Sequence, residues 1–197
     1  MTRLIQIAVD LQRFLDMKKW PNCVIGGIAV QRWGEPRLTE DVDLTLLTGF
    51  GEEEPYVDAL LARYQPRVPS PREFALEYRV VLVKTDDGVG IDIALGGLPF
   101  EINAVSRASD FDFASGERVR TCSAEDLLVM KAVAGREQDW LDIKGVLARQ
   151  RDKLDWNMVL SELRPLCELK EAPDIVIRLE RKVHVSITSL PTAIKLA

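Results

Sequence analysis

Apolar side chains recur along the chain at spacings of three and four residues, which is the pattern of helices with one buried face. In residues 2–18 this stripe comprises Leu4, Ile7, Ala8, Leu11, Phe14 and Leu15. The same spacing predicts further helices at residues 28–34, 52–64, 123–150, 151–170 and 174–185. Gly135 lies inside the segment 123–150, so this segment forms either one continuous helix or two pieces with a break at the glycine.

Shorter apolar or alternating runs predict strands between these helices. The predicted strands are residues 23–25, 41–47, 77–84, 89–95, 100–105 and 118–121. Asp86, Asp87 and Gly88 lie between the third and fourth of them and are typical of a hairpin turn. The prolines at 66, 69 and 71 predict a loop that is too short to separate two domains.

The composition is that of an ordinary soluble globular protein, with 47% hydrophobic and 29% charged residues. A chain of 197 residues is expected to form one domain, or one domain with a small appendage. No apolar run approaches the ~18 residues that a membrane helix needs. Asp10, Arg13 and Asp16 interrupt the N-terminal segment, so a signal peptide is not expected. The scattered cysteines form no CxxC motif and favour reduced thiols in a cytoplasm.

Charge and histidine content narrow the classes of function. The formal net charge of −5 argues against broad, nonspecific binding of nucleic acid, although it leaves room for a local basic groove. His184 is the single histidine, and we expect it to be a surface or packing residue. Catalytic sites of the Ser-His-Asp and Cys-His types, and zinc sites with several histidines, are therefore not expected. Chemistry in this chain must depend on carboxylates, lysine, arginine and metal.

The stretch that begins at Gly26 combines two features of a nucleotide site. Gly26 and Gly27 precede a predicted helix, where exposed backbone N–H groups and the helix dipole favour an anion such as phosphate. Asp41 and Asp43 open a predicted strand and, being two residues apart, project from the same face. Adjacent carboxylates repel each other unless a cation lies between them, and carboxylate oxygens suit Mg²⁺. A phosphate cradle followed by metal-binding carboxylates predicts a nucleotide site.

Asp92 is the third acidic candidate. It lies between Ile91 and Ile93, and a charged residue inside an apolar strand is costly unless it is paired or coordinated. The alternative is an exposed position on an alternating strand. Glu101, in the predicted strand 100–105, is a weaker carboxylate candidate.

The two glycines, followed after about a dozen residues by an Asp-x-Asp pair, resemble the signature of the DNA polymerase β-type nucleotidyltransferase superfamily. The resemblance is greatest to its small bacterial members, the AbiEii-type abortive-infection toxins and related stand-alone nucleotidyltransferases. Their Arg-x-Thr-x-Asp-x-Asp segment is matched here by Arg37, Thr39, Asp41 and Asp43. Their C-terminal motif is matched by Lys131, Arg136, Asp139 and Asp142.

This resemblance extends over residues 20–150 and implies an α/β (α+β) fold, in which helices flank a mixed β-sheet with the active site at its edge. We therefore expect a nucleotidyltransferase core at residues 1–150. Residues 151–197 are expected to form a C-terminal helical extension that packs on this core.

The resemblance also implies the reaction, which is transfer of an NMP from an NTP to an acceptor hydroxyl with two Mg²⁺ ions. Asp41, Asp43 and Asp92 would hold the metals, and Asp92 would accept the proton of the attacking hydroxyl. Gly26 and Gly27 would let the backbone approach the β- and γ-phosphates.

Basic residues are expected to contact the nucleotide. Lys131 would contact the triphosphate as a point charge, with Asp139 either orienting Lys131 or contacting the base. Arg37 would contact the triphosphate or pair with a neighbouring glutamate, at residue 35 or 40. Thr39 and Arg136 complete the expected nucleotide-binding set. The alternative for Lys131 and Arg136 is a solvated helix face.

The acceptor is open at this point. The resemblance implies a tRNA end or other RNA, a protein hydroxyl, or a small molecule such as an antibiotic. A local groove for RNA would draw on Arg118, Arg120, Arg136, Lys144, Arg149 and Arg151. A cognate antitoxin protein is a further expected partner, whereas a membrane is not.

The alternative function is that of a catalytically inactive, antitoxin-like binding module. Three mutually repelling acids argue against it, because a module without catalysis has no need of them. The C-terminal helices would serve as a dimer interface under either function.

Overall fold

The computed structural model describes residues 2–114 and 116–188. The side chains of residues 184–188 are not part of this description, so the prediction for His184 lies outside the described residues. None of the helices in the described part of the chain is both long and apolar enough to cross a membrane.

The chain divides into two compact units. The first comprises the chain up to Arg32 together with Pro36–Ser123. The second comprises Trp33–Glu35 and the chain from Ala124 onwards. A functional boundary at residue 150 stays a prediction, because a compact unit of the backbone need not coincide with a functional domain.

The first unit contains both helices and strands. In chain order they are α1 (Thr2–Met17), β1 (Asn22–Val24), α2 (Gly26–Trp33), β2 (Asp41–Leu47), α3 (Glu54–Arg63), β3 (Gln65–Pro66), α4 (Pro71–Tyr78), β4 (Val80–Lys84), β5 (Gly90–Gly96), α5 (Pro99–Arg107), β6 (Ser109–Asp112) and β7 (Arg118–Thr121). The predicted helix at 2–18 and the predicted strand at 41–47 are confirmed.

The strands of this unit, as far as the structure describes them, form one mixed sheet in the order β3-β4-β5-β2-β1-β7-β6. β2 runs parallel to β5, and β1 runs parallel to β7. The other neighbouring strands are antiparallel, including the predicted hairpin of β4 and β5. The predicted fold class, a mixed sheet flanked by helices, is confirmed.

One face of the sheet is apolar and carries the core of the first unit. Its strand residues include Val24, Val42, Leu44, Leu46, Val81, Val83, Ile91, Ile93 and Leu95. Helices α1, α3 and α4 add buried side chains such as Leu11, Leu60 and Ala75 to the same cluster. Full burial of one such Val, Leu or Ile side chain contributes about 1.5–3 kcal/mol. The alternation along β2 and β5 is thereby fixed, and their remaining side chains point to the opposite face.

Elements α4, β3 and β6 of the first unit were not predicted, and β3 includes Pro66 of the predicted loop. Residues 71–78 form α4, which begins with Pro71 in its first turn, as suits a residue with no N–H to donate. The strand predicted at 77–84 accordingly starts only at Val80. β6 consists entirely of exposed residues, so no apolar alternation announces it.

The predicted strand 100–105 is wrong, because this segment belongs to helix α5. The Glu101 carboxylate accepts hydrogen bonds from the N–H groups of Gly97 (2.7 Å) and Leu98 (2.8 Å) and so caps the helix start. Pro99 in the first turn also favours a helix. The candidacy of Glu101 as a metal-binding carboxylate is corrected with it, since its oxygen is used to cap α5.

The second unit is helical. It contains α6 (Ala124–Ala134), α7 (Glu137–Gln150), one turn of 3₁₀ helix (Arg151–Lys153), α8 (Trp156–Leu169) and α9 (Asp174–Thr188). Gly135 has φ +70°, a conformation that ends α6 and separates it from α7. Asp155 caps α8 by accepting a hydrogen bond from the N–H of Met158 (3.1 Å).

Candidate active site

Three acidic side chains lie on the face of the sheet opposite the apolar core of the first unit. Asp41 and Asp43 are two residues apart at the start of β2, and Asp43 lies directly opposite Asp92 in the parallel pairing of β2 with β5. Residues paired across adjacent strands project from the same face. All three acids are partly exposed, whereas Val42 and Ile91 beside them are buried. The structure therefore brings together the three carboxylates that the sequence singled out.

A glycine turn lies against two of the predicted site residues. Gly26 begins α2 with φ +57°, a conformation that glycine adopts without strain. A Cβ atom at Gly26 would overlap Oδ2 of Asp43 and lie 2.6 Å from the Cβ atom of that residue. A Cβ atom at Gly27 would overlap Oγ1 of Thr39 and lie 2.7 Å from its Cβ atom. Both glycines are thus needed for the backbone to approach Asp43 and Thr39 this closely.

Hydrogen bonds hold this turn on β2. The N–H of Ile25 donates to the carbonyl oxygen of Asp43 (2.9 Å), and the N–H of Gly27 points at Oδ2 of Asp43 with a longer distance of 3.4 Å. The start of α2 therefore faces a carboxylate. A phosphate placed at the same N–H groups would be repelled by that carboxylate unless a cation lay between them.

The Arg-x-Thr segment leads into β2 beside this turn. Thr39 is buried, with 8% of its surface exposed. Arg37 donates to the carbonyl oxygen of Leu38 (3.0 Å), and Gln31 of α2 donates to the carbonyl oxygen of Arg37. The contact of Arg37 with a triphosphate stays a prediction.

The face of the sheet that carries Asp41, Asp43 and Asp92 is called the acidic face below. Arg67 approaches it from the end of β3. Its N–H donates to the carbonyl oxygen of Leu82 (3.0 Å), which continues the β3–β4 pairing by one residue. Its guanidinium group forms an ion pair with the carboxylate of Asp92, and the two side chains are 31% and 33% exposed. Arg67 was not predicted, because no motif contains it and only the strand order brings it to Asp92.

The carboxylate oxygens of Asp41, Asp43 and Asp92 are chemically suited to a divalent metal, although Asp92 is paired with Arg67. Carboxylate oxygens are ligands that Mg²⁺ prefers. The N–H groups of a turn at a helix start suit a phosphate. Across the described residues, no group of three or more histidines, cysteines or acids is arranged to hold a metal ion. The pairing of Asp92 with Arg67 is consistent with this, because a guanidinium group faces the oxygen that a metal would use.

The second unit contains a buried cluster of charge. Nζ of Lys131, on α6, lies 2.9 Å from Oδ1 of Asp139 and 2.8 Å from Oδ2 of Asp142, both on α7. The exposed fractions of these three side chains are 8%, 1% and 2%. Lys131 therefore does not lie on a solvated helix face, and the break at Gly135 lets α7 fold back so that both acids reach it.

Arg136 joins the same cluster from the helix start. Its backbone N–H (3.1 Å) and its Nε (2.8 Å) both donate to Oδ2 of Asp139. Burial on its own would raise the pKa of the Asp139 carboxyl, but the hydrogen bonds and positive charges of Arg136 and Lys131 outweigh it and lower the pKa. Asp139 is consequently held as a carboxylate.

Several residues of the proposed basic groove are engaged with acids. Arg118 pairs with Asp112 (2.7 Å) and Arg120 pairs with Asp16 (2.6 Å). Such pairing reduces the positive charge that these arginines offer to a nucleic acid.

Comparison with protein families gives a match over most of the chain. The family described as "Nucleotidyl transferase AbiEii toxin, Type IV TA system" matches residues 23–165. No curated protein sequence matches the chain.

Comparison with solved structures identifies one that shares the fold. An antigenic nucleotidyltransferase-like protein from Paracoccidioides brasiliensis superposes with a TM-score of 0.51 at 16% identity, over 90% of this chain and 92% of that one. The lincosamide antibiotic adenylyltransferase LnuA, solved with lincomycin, gives a TM-score of 0.47 at 16% identity, over 69% of this chain and 91% of that one. The first of these matches shows a nucleotidyltransferase-like fold. Because the family match spans well over half of the sequence, the chain belongs to the AbiEii nucleotidyltransferase toxin family.

Proposed function

We propose that this protein transfers the nucleotidyl group of an NTP to an acceptor hydroxyl, with Asp41, Asp43 and Asp92 as the ligands of two Mg²⁺ ions. The observation that supports it best is the position of Asp43 directly opposite Asp92, with Asp41 on the same face. The close approach of the Gly26 turn to Asp43 adds the anion site that a nucleotide requires beside the metal.

The reaction requires one bond to form and one to break at the α-phosphorus. The acceptor oxygen attacks that phosphorus, the bond from it to the bridging oxygen of the β-phosphate breaks, and pyrophosphate leaves with the electron pair. Bound Mg²⁺ would neutralise charge on the phosphates and lower the pKa of the acceptor hydroxyl.

The residues of the first unit then have distinct tasks. Asp92 accepts the proton of the acceptor hydroxyl at a carboxylate oxygen. Gly26 and Gly27 allow the β- and γ-phosphates to approach the backbone, because no Cβ atom occupies that space. Thr39 supports the turn through its contact at Gly27, and Arg37 contacts the triphosphate from the segment before β2.

Roles for the second unit are proposed from the family match, which includes α6 and α7. Lys131 would contribute to nucleotide binding through its ammonium group. Asp139 would orient that ammonium group, and Arg136 would hold Asp139 in place. The ion pairs described above support the second and third of these roles.

The family description as a toxin favours an acceptor whose modification harms the cell. We therefore take the acceptor to be an RNA, such as a tRNA end, or a protein hydroxyl, and we take a cognate antitoxin protein to be the regulating partner. A cytoplasmic location follows from this proposal and stays a prediction.

The test is a transfer assay with each α-labelled NTP, with and without Mg²⁺, on tRNA, a protein extract and aminoglycosides. Wild type is compared with Asp43→Asn and with Asp10→Asn. Asp10 is an exposed acid on α1, which packs on the opposite face of the sheet.

Label on RNA or protein that requires Mg²⁺, disappears in Asp43→Asn and persists in Asp10→Asn would support the proposal. Label on aminoglycosides alone would mean that the acceptor is an antibiotic and not an RNA or a protein. Absence of label on all acceptors, together with tight capture of a partner protein, would favour the inactive binding module.

A further inference from the structure

Arg67 belongs to a row of four residues that crosses the sheet. Continuing the β3–β4 register places Arg67 opposite Leu82. Leu82 pairs with Asp92 across β4 and β5, and Asp92 pairs with Asp43 across β5 and β2. Residues that are paired across neighbouring strands share one face, so Arg67 and the acids lie on the same side of the sheet.

Two strand spacings of about 4.8 Å each separate Arg67 from Asp92, because β4 lies between their strands. The side chain of Arg67 therefore extends across Leu82 to reach the carboxylate. The positive charge of Arg67 thus reaches the acidic face from the edge of the sheet, where β3 is the outermost strand on this side.

The start of β5 leaves room for this guanidinium group. A Cβ atom at Gly90 would lie 3.2 Å from Nη1 of Arg67 and 3.4 Å from Cβ of Asp41. Arg67 and Asp41 therefore flank the same empty position above Gly90. The guanidinium group consequently lies beside Asp41 as well as in the ion pair with Asp92.

We infer that Arg67 competes with the divalent metal for Asp92, so that Arg67 neutralises the acidic face when no metal is bound and releases Asp92 when metal binds. This inference rests on the proposed function, because it takes Asp92 to be a metal ligand. An oxygen of Asp92 that accepts from a guanidinium group is not available to a metal at the same time. Metal binding at this site therefore includes the free energy of breaking the ion pair.

The strength of the pair sets the size of the effect. Both side chains are about one-third exposed, so solvent screens the pair and its contribution is modest. Removal of the competitor should then tighten metal binding by about 1.5-fold to fivefold. Because Arg67 directly follows the edge strand β3 and is partly exposed, its replacement should leave the fold intact.

The experiment is a titration with Mn²⁺ alone, without nucleotide, followed by electron paramagnetic resonance of the free ion. It compares wild type, Arg67→Gln, Arg67→Lys, Arg72→Gln and Asp43→Asn. Arg72 is the matched control, because it is a partly exposed arginine of the same unit that pairs with Glu54 and Asp58 and its loss changes the net charge equally.

The inference expects Arg67→Gln to bind Mn²⁺ about 1.5-fold to fivefold more tightly than wild type, with Arg72→Gln close to wild type. The Mn²⁺ affinity of Arg67→Lys should lie between those of Arg67→Gln and wild type, because a lysine keeps the charge without the planar fork of donors. Equal or weaker Mn²⁺ binding in Arg67→Gln would overturn the inference. Equal gains in Arg67→Gln and Arg72→Gln would also overturn it, because net charge would then be the cause.

Failure of the proposed function gives a different result. If Asp43→Asn binds Mn²⁺ as well as wild type does, or if no variant binds it, the acidic face is not a metal site and both conclusions fail. If Asp43→Asn loses binding while Arg67→Gln matches wild type, only the inference about Arg67 fails.

Discussion

Asp43 and Asp92 lie directly opposite each other on the parallel strands β2 and β5, so that two carboxylates project from adjacent positions of one face. Such a pair is unfavourable without a cation nearby. Its position beside the Gly26 turn leads to the first prediction.

Replacement of Asp43 by asparagine should abolish stabilisation by nucleotide and Mg²⁺ without harming the free protein. Asparagine keeps an oxygen that can accept from the N–H of Gly27, while it removes a repelling charge. A ligand at about 100 times its Kd adds roughly 2.7 kcal/mol of stability, so this increment should disappear. Thermal melting with each NTP measures it. A Mg²⁺-dependent increment that survives in Asp43→Asn would contradict the assignment.

Replacement of Gly26 by alanine should cost more stability than the same change at Gly88. Both glycines have positive φ, at +57° and +88°, so both variants incur the conformational cost of about 1–2 kcal/mol. The Cβ atom that Gly26→Ala adds would also collide with Asp43, whereas at Gly88 no atom of the described residues beyond its two chain neighbours lies within 4 Å of that position. We expect an additional loss of about 1–3 kcal/mol in Gly26→Ala from this overpacking.

Urea unfolding of both variants measures the difference. Gly26→Ala should also lose nucleotide binding, because Asp43 must move, while Gly88→Ala should retain it. Equal losses of stability in the two variants would show that Asp43 does not lie against the Gly26 turn.

Replacement of Lys131 by methionine should destabilise the second unit strongly. The variant leaves Asp139 and Asp142 buried without the ammonium group that both contact. Removal of one partner from a buried ion pair typically costs about 3–5 kcal/mol. Lys153→Met, which removes an exposed lysine of the same unit, is the control and should change stability by less than about 0.5 kcal/mol. Similar unfolding midpoints for the two variants would argue against a buried cluster.

Acid should destabilise the protein partly through Asp139. The pKa of this carboxyl is lower in the folded protein than its ordinary value, so the folded state favours the ionised form. Its contribution is therefore complete above the unfolded pKa of about 4 and is lost as the pH falls through the lower folded pKa. Asp139→Asn should be less stable than wild type at pH 7 and should lose less stability between pH 5 and the acid range.

Urea unfolding at a series of pH values measures this dependence. Asp152→Asn, which changes an exposed acid of the same unit, should keep the wild-type slope. An Asp139→Asn variant with the full wild-type slope would assign the acid sensitivity to other groups.

Much of the fold follows from local patterns that tertiary contacts did not override. The stripe of α1 and the alternation of β2 were predicted correctly because one face of each is buried in the core. The pattern from Phe100 to Val105 predicts a strand wrongly, since a short apolar run fits either a strand or a helix. The cap formed by Glu101 stabilises a helix here. Pro99 followed two residues later by Glu101 is the feature of the sequence that indicates this helix start.

The site was predictable where the local sequence marks its residues, as it does for Asp92 between two isoleucines. The Gly-Gly turn and the Asp-x-Asp pair were recognisable because spacing alone places them. Arg67 reaches Asp92 through the order β3-β4-β5, which no local pattern of the sequence contains. The contacts of Lys131 with two acids depend likewise on the angle at Gly135, which the spacing of apolar residues does not specify.

The parallel pairing of β2 with β5 has a consequence for how this chain tolerates insertions and deletions. The same alternation that sends Ile91 into the core sends Asp92 to the open face, so one extra residue within the strand would exchange the two. Such a register shift would bury the carboxylate of Asp92 and remove it from the acidic face in a single step. The turn at residues 85–89 precedes β5 and can absorb changes in length, because its residues set neither face. Length variation among related chains should therefore concentrate in that turn, while the interval from Gly90 to Asp92 keeps its length.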